Sequence, residues 1–337
     1  CHQELLAAIS VPKRLIESDL TLNPIKLFKK VSCYRKCLRQ ANPNAVHAHQ
    51  TRASVIPLIA AYLEQIPVRV YHNHGLPYLG YRGPMRWLLR VIEKINISLA
   101  THILLVSQSN LEAAVVDGLL PKGKGQVIGS GSAVGIDLAA YSSDRFNEEA
   151  QKLARAQLGL ATDGFVLAYV GRPVKRKGFH LLLQAWDASG LAEQGHVLIV
   201  AGCTDDECRQ ALGQPVAGVR GLGYLNDLIP FYAACYAVTF PSEHEGFPYS
   251  MLEGAAAGKP LIGTDIPGIR CTIEHDCTGL LVPTQDLPAL AQAIVKIVGD
   301  RSLRQTLGSN ARKRVEESFS RDLVMSSLLD FYQALLA

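Results

Sequence analysis

Short apolar runs alternate with longer amphipathic stretches along most of this 337-residue chain. The short runs predict strands and the amphipathic stretches predict helices. Strands that alternate with helices favour parallel sheets covered by helices on both faces. The pattern therefore predicts an α/β protein with two doubly wound domains. The predicted strands are 45–47, 68–72, 103–106 and 126–128 in the first half and 165–170, 196–201, 219–222, 237–240, 261–263 and 280–282 in the second, and two of the predicted helices are 54–65 and 84–100.

A polar stretch at 141–149 is the expected linker between the two domains. We expect an N-terminal domain over 1–143 and a C-terminal domain over 144–320. A final helix over 321–337 is expected to pack back toward the N-terminal domain. Because ligands of doubly wound sheets bind at the carboxyl ends of the strands, the loops that follow the strands are where functional residues are expected.

Composition places the chain among ordinary globular proteins and excludes a disordered or collagen-like one. Apolar residues make up 48% of the chain and charged residues 19%. No apolar run reaches the ~18–20 residues that span a bilayer, and the opening residues lack the basic start and apolar middle of a signal peptide. Eight cysteines without paired CxxC motifs predict reduced thiols. These features together predict a cytoplasmic protein.

Charge is distributed unevenly between the two halves. Residues 1–140 contain 16 Lys and Arg against 8 Asp and Glu, whereas residues 141–337 contain 18 against 22. Two basic segments, 23–40 and 80–95, intersperse their cations with apolar residues such as Phe28 and Trp87. They are either amphipathic helices that cover the sheet or helices that also dock on an anionic membrane surface. Nucleic acid is not an expected partner, because no recognition motif accompanies the charge.

A glycine-opened basic loop, 171–178, follows the predicted strand 165–170. Gly171 would allow a phosphate to approach the backbone, Arg172 can bind phosphate oxygens as a fork, and Lys177 adds a point charge. The loop is therefore either a phosphate site or a solvated basic turn. It is not a P-loop, because the GxxxxGK[ST] pattern is absent.

The segment that follows predicted strand 237–240 has the highest density of candidate residues. Glu245 precedes a predicted helix, and Glu253 lies one to two turns inside it. The first amides of such a helix, at about 249–252, form a site where a diphosphate can bind without a metal. Glu253 could then accept hydrogen bonds from ribose hydroxyls and Glu245 from sugar hydroxyls. The alternatives are a solvated helix carboxylate and a charge that merely favours the helix dipole.

The phrase 245–253, with glutamates at both ends, resembles the E-x7-E signature of the family-4 retaining glycosyltransferases, which have the GT-B fold of two Rossmann-like domains. Further phrases of this family are matched in the same order over nearly the whole chain, and they are 42–49, 72–76, 135–137, 171–178, 221–224 and 279–283. Members of the family open with a strand and a glycine-rich loop, and nothing before Asn42 resembles that unit. We therefore expect the chain to begin after it, with an N-terminal domain that lacks its first strand.

The resemblance implies a transferase that takes its sugar from a nucleotide-sugar, with bacterial capsule and O-antigen transferases as the most similar members. A UDP-sugar is the expected co-substrate, with an N-acetylated hexosamine as the transferred sugar, and a glycan or lipid-linked sugar is the expected acceptor. Two alternatives are a sugar-nucleotide 2-epimerase of the same fold and a non-catalytic subunit that binds nucleotide-sugars. The implied catalytic residues are Glu245, His74, Arg172 and Lys177, and the implied donor-binding residues are Gly171, Gly223, Tyr224, Gly246, Phe247, Ser250, Met251, Leu252 and Glu253.

Two groups of potential metal ligands do not change this interpretation. The run 205–207, Asp-Asp-Glu, is better explained as the acidic first turn of a helix. Four histidines, at 47, 49, 72 and 74, lie near two predicted strand ends and make a zinc site conceivable. We favour a polar cleft with His74 as its main functional residue, and we predict no metal and no cofactor other than the nucleotide-sugar. The glycine-rich loop 129–135 lacks the spacing of a dinucleotide fingerprint and is expected to be a hinge-side loop.

Overall fold

The computed structural model describes Leu20 and residues 23–336. The expectation that the chain lacks an opening strand concerns the residues before Asn42, of which 1–19 and 21–22 lie outside the described part and 24–41 form a helix. The chain divides into two compact units, one formed by residues up to 72 together with 89–103 and the other by 73–88 together with 104–337. The boundaries predicted at 143 and 320 are a different division and remain a prediction.

The first sheet contains four strands in the order β1-β2-β3-β4. Strands β1 and β2 are parallel, and their register places His49 beside His72. The first helix begins with Pro24 in its first turn and is capped by the side chain of Asn23, which accepts from the amide of Lys26 at 3.1 Å. The elements are α1 Pro24–Ala41, β1 Ala45–His49, α2 Thr51–Leu63, β2 Val68–Asn73, α3 Gly83–Leu99, β3 His102–Leu105, α4 Gln108–Val116 and β4 Gly125–Val127.

The second sheet contains seven strands in the order β11-β10-β9-β5-β6-β8-β7. Its strand pairs are parallel except for β7, which runs antiparallel to β8. The elements are α5 Glu148–Gln157, β5 Val166–Val170, α6 Phe179–Ala188, β6 Val197–Ala201, β7 Cys203–Thr204, α7 Asp205–Leu212, β8 Val219–Gly223, α8 Ile229–Ala234, β9 Ala237–Phe240, α9 Tyr249–Ala256, β10 Leu261–Thr264, β11 Gly279–Val282, α10 Leu287–Gly299, α11 Arg301–Ser318 and α12 Arg321–Leu336.

Side chains of the central strand β5 alternate between two hydrophobic cores. Val166 and Ala168 belong to one core, whereas Leu167 and Tyr169 belong to the other. A strand buried on both faces reads as a continuous apolar run, as this one does in the sequence. The ten predicted strands are confirmed to within about two residues at each end. The two-residue strand β7 is the one that the apolar pattern missed, because it contains no apolar run.

The basic segment 23–40 is the helix α1, and most of its apolar residues are packed rather than exposed. Leu27, Val31 and Tyr34 lie against α2 in a small core. Ile25 and Phe28 are exceptions, because 67% and 71% of these residues are exposed. No helix among the described residues combines the length and the apolar character that crossing a bilayer requires.

Candidate functional site

The basic loop 171–178 joins β5 to α6 and is tightly built. Gly178 adopts a left-handed conformation with φ 69°, and a Cβ there would lie 1.8 Å from the carbonyl oxygen of Pro241. Glycine is therefore required where this loop passes the end of β9. The side chain of Arg172 is exposed, whereas Lys177 is half-buried.

Glu245 is nine-tenths buried and is held by two side-chain donors. Lys177 Nζ lies 2.6 Å from Glu245 Oε1, and the hydroxyl of Ser242 donates to the same oxygen at 2.7 Å. The carbonyl oxygen of Ser242 in turn accepts from the hydroxyl of Thr264 on β10. Since a buried carboxylate is stable only when its charge is compensated, the lysine of one loop fixes the carboxylate of the next. Two residues that the sequence placed in different roles thus form one pair.

Glu253 lies in the second turn of α9 beside the buried phenol of Tyr232. The hydroxyl of Tyr232 lies 3.0 Å from Glu253 Oε2 and 2.9 Å from the carbonyl oxygen of Ser250. Burial raises the pKa of Glu253 above its ordinary value, and the hydrogen bond from Tyr232 partly opposes that rise. The carboxylate is therefore desolvated and oriented, as an acceptor for a ligand hydroxyl should be.

At the start of α9, backbone groups rather than side chains are available to bind a ligand. Pro248 at the N-cap gives no side-chain cap, and the amide of Met251 donates to its carbonyl oxygen at 3.1 Å. The side chains of Met251, Leu252 and Phe247 are buried in the core, so that only the backbone of these residues can contact a ligand. Ser250 is half-buried.

The loop between β9 and α9 packs directly against the segment that follows β2. A Cβ on Gly246 would lie 1.8 Å from the carbonyl oxygen of His74, and a Cβ on Gly75 would lie 2.5 Å from the Cα of Gly246. These glycines are required by a close approach of two backbones. The structure therefore brings the backbone of His74 next to the Glu245–Gly246 loop, and the role that the resemblance implies for its side chain remains a prediction.

Asn110 is a site residue that the sequence reasoning missed. It is fully buried, and its Nδ2 donates to the carbonyl oxygen of Gly246 at 2.6 Å and to Ser107 Oγ at 2.5 Å. The Asn110 and Gly246 positions are 136 residues apart. The sequence around Asn110 indicates only that Ser107 caps the start of α4. A helix cap gives no information about a contact with the distant loop that contains Gly246.

The side chain of Tyr249 has a role that the sequence did not indicate, although its backbone amide belongs to the predicted start of α9. Its hydroxyl oxygen accepts from the amides of Ala133 and Val134 at 2.8 and 2.9 Å. Tyr249 thereby fixes the glycine-rich loop 129–135 to the start of the helix. The same loop lies next to α12, because the amide of Arg321 donates to the carbonyl oxygen of Ile136 at 2.8 Å.

Two further predicted donor residues lie at the end of β8. Gly223 has φ 67°, and Tyr224 is 81% exposed. Beside them, Asp205 Oδ1 accepts from the amide of Gly221 at 2.6 Å, and Thr204 with Glu207 forms a capping box at the start of α7. The acidic run 205–207 is therefore the start of a helix, which confirms that interpretation.

A group of potential metal ligands belongs to the first unit. His47, His49 and His72 form the one group of three potential ligands among the described residues, with donor atoms within 4.8 Å of one another. The rings of His47 and His49 stack at 4.1 Å, whereas imidazoles on a tetrahedral zinc radiate from the ion at about 2.0–2.1 Å. The trio could hold a metal only after its rings turn, and His74 is not part of it.

The predicted site residues all belong to the second unit. Together they provide an exposed arginine, a lysine–glutamate pair, a desolvated glutamate and the N-terminus of α9. This set can neutralise a diphosphate and accept hydrogen bonds from sugar hydroxyls.

Comparisons with known proteins agree with this chemistry. The family described as glycosyl transferases group 1 matches residues 164–300. The capsular polysaccharide biosynthesis glycosyltransferase CapM of Staphylococcus aureus is 31% identical over 320 residues, which are 93% of this chain and 83% of CapM. The N,N'-diacetylbacillosaminyl-diphospho-undecaprenol alpha-1,3-N-acetylgalactosaminyltransferase of Campylobacter jejuni is 25% identical over 325 residues, which are 95% of this chain and 84% of that enzyme.

A similar solved structure is that of HepE from Anabaena in complex with UDP. It superposes with a TM-score of 0.81 at 21% identity and covers 98% of this chain and 89% of its own. At that identity the likeness shows the fold, and it confirms the predicted α/β architecture of two Rossmann-like sheets. With 31% identity to CapM over nearly its whole length, this chain belongs to the group 1 glycosyl transferases.

Proposed function

We propose that this chain is a retaining glycosyltransferase that moves an N-acetylhexosamine from a UDP-sugar to a glycan or a lipid-linked sugar during the synthesis of a bacterial surface polysaccharide. Metal is not required for this transfer. The observation that carries the proposal is the Lys177–Glu245 pair in front of α9, with Glu253 desolvated inside the same helix.

The proposed reaction breaks the bond between the anomeric carbon and the diphosphate oxygen and forms a bond from that carbon to an acceptor hydroxyl oxygen on the same face. The O–H bond of the acceptor breaks, and its proton passes to the leaving diphosphate oxygen. Positive charge develops on the sugar ring and negative charge on the leaving diphosphate. Arg172 and Lys177 stabilise the diphosphate together with the N-terminal amides of α9. Glu253 accepts from the ribose hydroxyls, Glu245 orients the transferred sugar, and His74 faces the cleft near that sugar.

The names of relatives support the choice of substrates. CapM is named for capsular polysaccharide biosynthesis, and the Campylobacter jejuni enzyme is named for an N-acetylgalactosamine transfer to a diphospho-undecaprenol-linked sugar. HepE was solved with UDP bound. The proposal transfers these substrate classes to this chain.

A kinetic comparison of two variants tests the site. We expect Glu253→Ala to raise KM for the UDP-sugar, because the ribose loses its acceptor, and Glu245→Ala to lower kcat. Glu193→Ala removes an exposed carboxylate and serves as the control. Unchanged kinetics in both site variants would overturn the assignment, and release of an epimerised nucleotide-sugar without acceptor would favour the epimerase.

Contact with an anionic membrane belongs to the same proposal, because a lipid-linked sugar is one of the two proposed acceptors. Phe28 on α1 and Trp87 at the start of α3 are 71% and 68% exposed beside basic residues. Two cations of α1, Arg35 and Arg39, are engaged with Glu64, and Lys26 and Lys29 are the exposed charges near Phe28. Exposed aromatics beside lysines are typical of interfacial helices.

Sedimentation with vesicles that contain anionic lipid tests this contact. We expect the paired variant Phe28→Ser with Trp87→Ser to reduce the vesicle-bound fraction. Val116→Ser, which removes another exposed apolar side chain, should leave that fraction unchanged. Equal binding by all three proteins would refute the contact.

A further inference from the structure

A basic cavity of about 480 Å³ lies in the second unit, apart from the proposed donor site. It is bordered by α5, by the segment that follows α9 and by the start of α11. None of the predicted catalytic or donor-binding residues lines it. Its charged lining residues are Lys152, Arg155, Lys259, Arg301, Arg304 and Glu148, so that five cations face one carboxylate.

Arg155 is the most deeply buried of these cations, with 1% of its surface exposed. Its Nε donates to the carbonyl oxygen of Ala234 at 3.1 Å, and its Nη1 donates to that of Thr162 at 2.6 Å. Its Nη2 is buried and has no hydrogen-bond partner. A buried charged donor without a hydrogen-bond acceptor destabilises the folded protein. A ligand oxygen that accepts from this nitrogen would therefore bind favourably.

Lys259 adds a second buried cation, with 7% of its surface exposed. Its Nζ lies 5.9 Å from the ring centre of Phe146, which offers a cation–π contact but no counter-charge. Burial and the nearby guanidinium of Arg155 both lower the pKa of Lys259. An anion beside this ammonium would relieve both effects.

Arg304 is held in a fixed orientation beside the same cavity. Its Nη1 donates to the carbonyl oxygens of Ile297 and Val298 at 2.7 and 2.6 Å. Its guanidinium lies 5.7 Å from the ring centre of Tyr236, and that of Arg155 lies 4.8 Å from the same ring. Two arginines are thus fixed around one aromatic side chain that also lines the cavity.

One carboxylate, Glu148, accompanies the five cations in the lining of this cavity. Over the part of the chain that the structure describes, no ion pair involves any of the five cations. Arg301 and Lys152 are exposed at its mouth and provide an attractive field for an incoming anion. Arginine forks match the oxygens of phosphate, and a volume near 480 Å³ is within the range of sites for small molecules.

We propose that this cavity binds a small phosphate ester, with Arg155 and Lys259 contacting its phosphate oxygens and Arg304 and Arg301 completing the positive field. The site is independent of the proposed donor site and does not depend on the chain being a transferase. Its ligand class is set by the lining alone, which has several cations, one carboxylate and room for more than one phosphate group.

Calorimetric titration of the full chain with inorganic pyrophosphate and with inorganic phosphate tests the site, with potassium chloride at matched ionic strength as the reference. We expect Lys259→Met to weaken pyrophosphate binding about tenfold and Arg301→Gln to weaken it several-fold, because each removes one cation from the binding field. Lys313→Gln, which removes an exposed lysine of α11 outside the cavity, is the charge-matched control and should bind as the parent does. Arg172→Gln separates this site from the proposed donor site, because it should weaken pyrophosphate binding at the donor site and leave binding at the cavity unchanged.

Arg301 is exposed, so its substitution should not disturb folding. Arg301→Gln therefore still tests the site if Lys259→Met alters folding. In the absence of anion, Lys259→Met should raise the melting temperature, because it removes a buried uncompensated charge. Pyrophosphate should raise the melting temperature of the parent more than that of this variant. Pyrophosphate affinities within twofold of the parent in both Lys259→Met and Arg301→Gln, or equal losses in Lys313→Gln, would overturn the proposal.

Discussion

The Lys177–Glu245 pair gives the sharpest prediction about the proposed donor site. Lys177→Met keeps the length of the side chain and removes its charge, and Glu245→Gln keeps the shape of the carboxylate and removes its charge. The pair is 28% and 10% exposed at the two side chains, so that solvent screens it only weakly. We expect the two substitutions to be strongly coupled in the free energy of unfolding.

The expected size follows from the geometry. At the 2.6 Å separation of Nζ and Oε1, Coulomb's law with an effective dielectric constant of about 20 gives a gross attraction of about 6 kcal/mol. Desolvation of both charges opposes most of this attraction, and hydrogen bonds to charged groups contribute about 1.5–3 kcal/mol net. We therefore expect each single variant to lose about 2 kcal/mol or more, and the double variant to lose little beyond either single one.

A double-mutant cycle by urea denaturation measures this coupling. The four proteins are the parent, both single variants and the double variant, and their m-values should agree. A coupling energy of about 1.5–3 kcal/mol is expected from the charged hydrogen bond. A coupling below about 0.5 kcal/mol, the ordinary limit of additivity for independent sites, would refute the argument that lysine and carboxylate stabilise each other.

Three further outcomes can be measured on the same protein. Gly246→Ala should lower both activity and melting temperature, because its Cβ would lie 1.8 Å from the carbonyl oxygen of His74. The control is Gly299→Ala, which has open space around it and should leave activity unchanged and the melting temperature equal or higher. Glu253→Gln should be more stable than the parent at pH 7 and lose that advantage toward pH 4. Because the pKa of Glu253 is raised in the folded state, the parent is most stable when this carboxyl is protonated at low pH and loses stability as it ionises. Equal urea midpoints for the parent and Glu253→Gln at every pH in this range would contradict the prediction. Tyr249→Phe should cost about 1–3 kcal/mol by leaving two amides without their acceptor, while Tyr224→Phe, on an exposed ring, should cost nothing measurable in thermal denaturation.

The sequence was most informative where structure depends on near neighbours. The buried strand 165–170 was visible as an apolar run, and the acidic run 205–207 was correctly interpreted as a helix start. Helix caps and apolar periodicities span only a few residues, so they can be read without knowledge of the fold. The short strand β7 was invisible for the same reason, because its two residues carry no periodicity.

Function followed from motifs, but the site's internal contacts did not. The E-x7-E spacing identified Glu245 and Glu253, yet nothing local indicated that Lys177 would pair with the first of them or Tyr232 with the second. Asn110 went unnoticed, because an asparagine after a helix cap is common and its partner is 136 residues away.

The sequence by itself determined the alternation of strands and helices and the family, and it supplied the residues that we propose for the chemistry. The tertiary structure decided which of these residues touch, how deeply each charge is buried, and that Arg155 and Lys259 line one cavity. The physical reason is that local pattern fixes elements, whereas the order of strands in a sheet brings distant loops together. Burial and charge compensation are properties of that arrangement, and they appear only once the chain has folded.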